Sequence, residues 1–223
     1  MARISRLVVP GYPHHVTQRG VRSIPIFSND NDRSAYVNIM AEQLRRFGVE
    51  VLAWCLMTNH THLVAVPKDR VALARAIGEA HRRYTRMKNF ADGVRGYLFQ
   101  GRFGSCVLDE THLLAAARYV ELNPVHAGMV RSAEEYPWSS ARFHLGLISD
   151  DVLVKDKSLL GLVENWEEYL RGDDQKANSR LLKAIRSGRP AGSQEFVRLV
   201  ETLTGRHFSL GKRGPRPKGL AAN

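Results

Sequence analysis

Two apolar runs dominate the middle of the chain: VEVLAWCLM (49–57) and HTHLVAV (60–66), separated only by Thr58 and Asn59. Short runs of this kind, rich in β-branched and aromatic residues, predict strands. A two-residue link containing Asn, which tolerates positive φ, predicts a hairpin. Upstream, HHVTQR (14–19) alternates moderately before a break at Gly20 and predicts a first strand. Between these strands Tyr36, Met40, Leu44 and Phe47 recur every three or four residues, with Asp30 available as N-cap and Gly48 as terminator, which predicts an amphipathic helix over 31–47. A second helix is expected over about 69–88. Its apolar stripe is Leu73, Ile77, Ala80, Tyr84 and Met87, and its opposite face is basic through Arg75, Arg82, Arg83, Arg86 and Lys88.

Four glycines in GVRGYLFQGRFGS (93–105) break the pattern. SCVLD then predicts a short strand, and Asp109 can cap a third helix running to about Leu122. The order β, α, β, β, α, β, helix predicts an α+β fold: a ferredoxin-like antiparallel sheet with helices on one face. Beyond about residue 145 the pattern changes to short helical segments (158–170, 175–187, 194–204) and a Gly/Pro/Lys/Arg tail. The expected organisation is a catalytic domain over 1–145, a helical extension over 146–210 and a basic tail over 211–223.

A formal net charge of +11 favours a polyanionic partner, nucleic acid before an anionic membrane, since no amphipathic basic terminus supports the latter. No apolar stretch approaches membrane-spanning length. Cys55 and Cys106 lie in apolar runs without a CxxC pairing, as expected of a reduced cytoplasmic, nucleoid-associated protein.

The candidate chemistry lies in MTNHTH (57–62) and ARYVELNPVHAG (117–128). In a strand, His60 and His62 project from the same side about 7 Å apart along the chain, close enough to share one metal ion. An isolated HxH is also read as one surface and one core histidine. Tyr119 and Asn123, four apart, are neighbours on one helix face. Pro124 biases Asn123 out of the α region, so the helix is expected to end there and turn an amide oxygen outward as a hard ligand. Alone, the two are equally a core-edge tyrosine and a C-cap asparagine.

These segments resemble the HUH single-strand endonucleases, and specifically the REP-associated tyrosine transposases of bacteria. The resemblance runs from Arg6 to about Phe143 through PGYPHHVTQRG, IFSNDNDR, MTNHTHLV, QGRFGSCVLDE, RYVELNPVHAG and YPWSSAR, and continues weakly into SGRPAGSQEFVRLVE and KRGPRPKG. It implies that His60 and His62 are paired metal ligands, Asn123 the third ligand and Tyr119 the nucleophile, with Mg²⁺ or Mn²⁺ as cofactor. Thr61 departs from the bulky hydrophobe usual in that motif, and Thr58 stands where proline is common. The implied activity is nicking and joining of single-stranded DNA at palindromic repeat hairpins through a 5′-phosphotyrosine, by a monomer. The chain has no GxxxxGK[ST] loop, in keeping with a reaction that needs no nucleotide hydrolysis. DNA contacts are expected from His15, Arg19, Arg22, Arg82, Arg83, Arg86 and Arg102, and from Lys212, Arg213 and Arg216 in the tail. Tyr97, Phe99 and Phe103 are candidates for base stacking or for the core. The alternative is a sequence-specific DNA-binding regulator with an inactive nuclease site. A carboxylate-based two-metal nuclease is disfavoured because Glu50 is the sole acidic residue within the two central strand runs.

Overall fold

The histidine-bearing strand sits inside a four-stranded sheet whose order interleaves two βαβ crossings. The computed structural model describes residues 6–172 and 175–208. Strand β1 (His14–Arg19) leads to helix α1 (Asp30–Phe47), then the hairpin of β2 (Val49–Leu56) and β3 (His60–Pro67). Helix α2 (Ala72–Ala91), strand β4 (Gly104–Val107) and helix α3 (Glu110–His126) complete the motif. The strand order is β2-β3-β1-β4 with every neighbouring pair antiparallel, the ferredoxin-like arrangement expected from the sequence.

Helices α1 and α2 both cover one face, where Tyr36, Met40, Ile77 and Tyr84 pack on Val16, Trp54, Leu56 and Leu63. Helix α3 lies on the opposite face, over Ala53, Cys55, Val64 and Cys106. Each fully buried Leu, Ile or Met in these layers contributes about 1.5–3 kcal/mol. Burial of the sheet from both sides explains why β2 reads as a continuous apolar run instead of an alternating one. The β2–β3 register shifts between Val51 and Ala53, so Leu52 is an extra residue. That bulge reverses the alternation, which is how both Leu52 and Ala53 reach the α3 side.

Three helix boundaries differ from expectation. Asn29, not Asp30, caps α1, its Oδ1 accepting the Asp32 N–H at 3.0 Å. Gly48 closes that helix in the left-handed conformation at φ 65. Helix α2 starts at Ala72 because Asp69 Oδ1 accepts the N–H groups of Val71 and Ala72, and it runs on to Ala91. Its buried stripe ends on Lys88, which meets Asp32 at 3.2 Å and Asp92 at 2.7 Å, while Met87 is exposed. Helix α3 continues through Pro124 to His126. A proline this close to the helix end forfeits one backbone bond in the last turn, and burial of Pro124 and Asn123 holds the turn in place.

The C-terminal region comprises α4 (Ala141–His144), α5 (Trp166–Arg171), α6 (Gln175–Ser187) and α7 (Gln194–Thr204). Trp166, Leu170, Leu181 and Ala191 join the core beneath α3, and Phe196 and Val200 of α7 pack on Leu7, Val9 and Val107. Glu121 of α3 is the polar centre of this layer. Its Oε1 accepts from Ser140 Oγ at 2.6 Å and His144 Nδ1 at 2.5 Å, and its Oε2 accepts from Trp166 Nε1 at 2.9 Å. Among the described residues no helix is long and apolar enough to cross a membrane.

Candidate active site

The α3 face of the sheet collects the candidate chemistry. His60 and His62 alternate with Thr61, so both point toward α3, with ring centroids 4.9 Å apart. Thr61 points to the other face, 3.5 Å from the Tyr36 hydroxyl, which fills the place of the expected hydrophobe without reaching the site. On β1, Thr17 pairs with His62, so His15 lies diagonally across on the same face. Its Nε2 shares a proton with His62 Nδ1 at 2.9 Å. His60 Nδ1 lies 2.7 Å from Asn59 Oδ1 and donates to it. The first bond leaves the outer Nε2 of His60 as a lone-pair donor, and His62 presents its Nε2 lone pair outward in the tautomer in which its Nδ1 donates to His15.

Helix α3 lays the Tyr119 ring against this cluster, 5.6 Å from His62 at an interplanar angle of 87° and 6.1 Å from His15. The side chains open into a cavity of about 460 Å³ lined by Thr17, Arg19, His60, His62, Arg102, Tyr119 and, from α6, Leu182, Ile185 and Arg186. Asn123 is buried one turn beyond Tyr119, where its Nδ2 donates to the Tyr119 carbonyl at 2.8 Å, and it does not line the cavity. The structure therefore brings together two expected ligands and the expected nucleophile, with the third expected ligand held by its own helix.

The electrostatics follow from burial. Desolvation pushes His15 down to about 3, and desolvation followed by the charge of Arg19 pushes His60 down to about 4. His62 falls well below its ordinary value through burial, then through His15, His60 and Arg19. All three imidazoles are neutral at pH 7, the form that binds metal. Burial raises the Tyr119 phenol, opposed by the Asn123 side-chain hydrogen bond and the charges of Arg186 and Arg19. The phenol is protonated at neutral pH and must lose its proton to react.

A divalent ion is the group the donor set suggests, and His62 supplies a direct test: its Nε2 is buried with no hydrogen-bond partner. A neutral imidazole with a buried ring nitrogen unpartnered among the described residues, beside a second imidazole whose inner nitrogen is already occupied, fits a metal when that nitrogen carries the lone pair. Among the described residues no three His, Cys, Asp or Glu side chains group to hold an ion.

The remaining expectations divide. Arg19 and Arg102 rim the cavity, whereas Arg22 is exposed on a turn at φ 51, away from it. Arg82, Arg83 and Arg86 do not line this cavity; they surround a hollow on the outer side of α2 with Arg46 and Phe90, and Arg82 and Arg86 also reach a second cavity that adjoins the first at Gln18 and Arg102. Arg82 is paired with Glu79 and Arg83 with Glu42, each at 2.6 Å. His15, expected to contact DNA, is only 1% exposed and sits behind His62, so it cannot reach a strand directly. Phe99 and Phe103 are buried in the core beneath α2, while Tyr97 is exposed. Lys212, Arg213 and Arg216 lie outside the described residues. Sequence reasoning missed Arg186, which is distant in the chain and carries no local signal. It also missed Asn59, whose adjacency to His60 was a signal.

Comparison with known proteins agrees with this arrangement. The family model described as IS200-like transposase matches residues 11–123, just over half of the chain and the whole segment from the β1 approach to Asn123. The solved structure of a REP-associated tyrosine transposase bound to a REP hairpin superposes with a TM-score of 0.56 at 17% identity, covering 70% of this chain and 93% of that one. A putative transposase from Deinococcus radiodurans R1 matches at 16% identity with a TM-score of 0.39, covering 54% and 96%. No curated protein matches by sequence. The extent of the family match, together with the shared sheet and helix order, assigns the chain to the IS200-like transposases.

Proposed function

We propose that this transposase is a metal-dependent single-strand DNA endonuclease and strand transferase that nicks beside palindromic hairpins through Tyr119. The observation that carries the reading is the contact of the Tyr119 ring with the neutral His62–His15 pair inside an arginine-rimmed cavity. The structural neighbour bound to a REP hairpin supports a hairpin substrate of the same kind.

Arg19, Arg102 and Arg186 attract and orient the phosphodiester. Tyr119 Oη attacks phosphorus as the phenol proton leaves. The bond from phosphorus to the 3′ oxygen breaks, and that oxygen takes up a proton. The products are a 5′-phosphotyrosine and a free 3′-hydroxyl. Attack by another 3′-hydroxyl reverses the step and joins strands, so the bond energy is conserved without nucleotide hydrolysis. His60 and His62, with Asn123 as a candidate third ligand, would hold a Mg²⁺ or Mn²⁺ ion that polarises the phosphoryl oxygens. Arg19 and Arg186 favour the phenolate as it develops.

The test is incubation of a labelled hairpin oligonucleotide carrying a single-stranded flank with Mn²⁺. A covalent protein–DNA adduct is expected from the parent. It should vanish in Tyr119→Phe and in excess EDTA, with hairpin affinity retained in Tyr119→Phe. Binding by the parent without any adduct would favour the inactive regulator, and undiminished nicking by Tyr119→Phe would exclude this nucleophile.

A further inference from the structure

A second cavity of about 500 Å³, within the range of sites that hold nucleotide-sized ligands, opens between the start of the chain, α2 and the glycine-broken segment before β4. It shares Gln18 and Arg102 with the Tyr119 cavity, so the two adjoin at these residues, one on the α2 side of the sheet and the other on the α3 side. From these features we infer that the second cavity receives an unpaired base of the DNA strand that crosses the active site, stacked against Tyr97.

Three features of the lining point to that occupant. Its walls are aromatic: Phe99 stacks on His81 with centroids 4.1 Å apart, the Arg6 guanidinium lies 3.8 Å over the Phe103 ring, and Tyr97 leaves 89% of its surface exposed at the mouth. Its charge is of one sign, since among the described residues Arg6, Arg86 and Arg102 line it and no acidic residue does; Arg82 also lines it but is paired with Glu79. Burial, and then the charge of Arg102, lowers the Arg6 guanidinium, the signature of cations gathered with no anion between them. At the junction, the buried Gln18 Oε1 has no partner, although its amide nitrogen donates to the Arg19 carbonyl at 3.1 Å. A π-faced wall, phosphate-binding cations and a spare acceptor match a nucleotide. A purely apolar ligand would leave three arginines unanswered, and a free anion would leave the aromatic wall unused.

The backbone leaves room for this occupant. Gly78 of α2 lines the cavity in ordinary helical conformation, and a Cβ added there meets no atom within 4 Å. Gly78→Leu therefore directs a side chain into the cavity from a position with open space for its Cβ, and replacing a helical glycine favours folding. Tyr97→Ala removes the exposed ring without touching the core.

The inference rests on the single-strand DNA reading above, and the experiment separates the two. Binding of full-length parent, Gly78→Leu and Tyr97→Ala to a hairpin with a single-stranded flank is measured by fluorescence anisotropy, with an abasic site placed at each flank position in turn. Adduct formation at Tyr119 is followed in parallel, and thermal melting checks folding. For the parent, one abasic position should weaken binding by about 5- to 150-fold, the worth of one base–aromatic stack. Both variants should lose a similar factor on the intact strand and be indifferent to that abasic position. Adduct formation by the parent, with both variants binding and discriminating as the parent does, would overturn the base pocket and leave the nicking activity standing. A parent that neither binds the flank nor forms an adduct would overturn both.

Discussion

Glu121 allows a prediction whose magnitude can be worked from its partners. The carboxylate is fully buried on α3, two residues after Tyr119, and accepts from Ser140, His144 and Trp166. In Glu121→Ala these three donors lose their acceptor together. Each stranded donor costs about 1–3 kcal/mol, partly offset because the carboxylate no longer has to be desolvated. The net expectation is about 3–5 kcal/mol, the range typical when one partner is removed from a buried charged network. For a chain of this size that corresponds to a fall in Tm on the order of 6–20 °C. Glu121→Gln keeps the shape, but its NH₂ group must face a donor whichever way it is turned, so about 1–3 kcal/mol is expected. Denaturant unfolding of both variants, of Trp166→Phe and of the double variant Glu121→Ala/Trp166→Phe measures the coupling. Trp166→Phe should cost about 1 kcal/mol in the parent and almost nothing once Glu121 is gone. Stability within about 1 kcal/mol of the parent for both Glu121 variants would refute the idea that this network clamps α5 and α4 to the helix that carries Tyr119.

Two other outcomes follow from the histidines. If His15 holds His62 in the tautomer that presents Nε2 outward, His15→Leu should weaken Mn²⁺ binding about 10- to 100-fold by calorimetry, while His15→Gln, which retains an acceptor, should lose less; equal affinities in all three proteins would remove that role. His14 is buried with both ring nitrogens used, Nε2 accepting from the Val9 N–H at 3.1 Å and Nδ1 donating to the Tyr12 carbonyl at 2.8 Å. Desolvation pushes it down to about 4 from 6.5, so the unfolded chain binds more protons between these values, and stability present above about pH 6.5 is lost as pH falls toward 4. By pH 5 the His14 contribution is about 2 kcal/mol, and urea unfolding of His14→Gln at pH 7 and pH 5 should show a pH dependence smaller by that amount.

Much of the sheet was legible because its strands announce themselves locally. Residues 14–19, the hairpin flanking Thr58 and Asn59, and the α1 stripe from Tyr36 to Leu44 all obey one periodicity, and the structure follows it. Boundaries were less legible where two residues compete for one role. Asn29 and Asp30 are comparable caps, and only the fold decides that Asp30 enters the helix and accepts from Trp138 Nε1 at 2.9 Å. At Pro124 the local preference lost outright, because one missing backbone bond weighs less than the buried packing of the last turn.

The site shows the same division between local and distant information. The pairing of His60 with His62, and of Tyr119 with Asn123, follows from strand and helix periods that any reader of the chain can count. What converts two imidazoles into a coherent donor pair does not: His15 reaches His62 only because β1 inserts between β3 and β4, an order that no local pattern specifies. Arg186 reaches Tyr119 only because α6 packs on α3. Both additions come from long-range packing, and both act on groups identified locally: His15 adds to the burial that lowers His62, and Arg186 opposes the burial that raises the Tyr119 phenol. The candidate reacting groups are thus written in short motifs, while their burial and charged neighbours come from distant elements. A variant in β4 or α6 that leaves every motif intact can therefore silence the enzyme by shifting β1 or α6 by a fraction of a hydrogen-bond length.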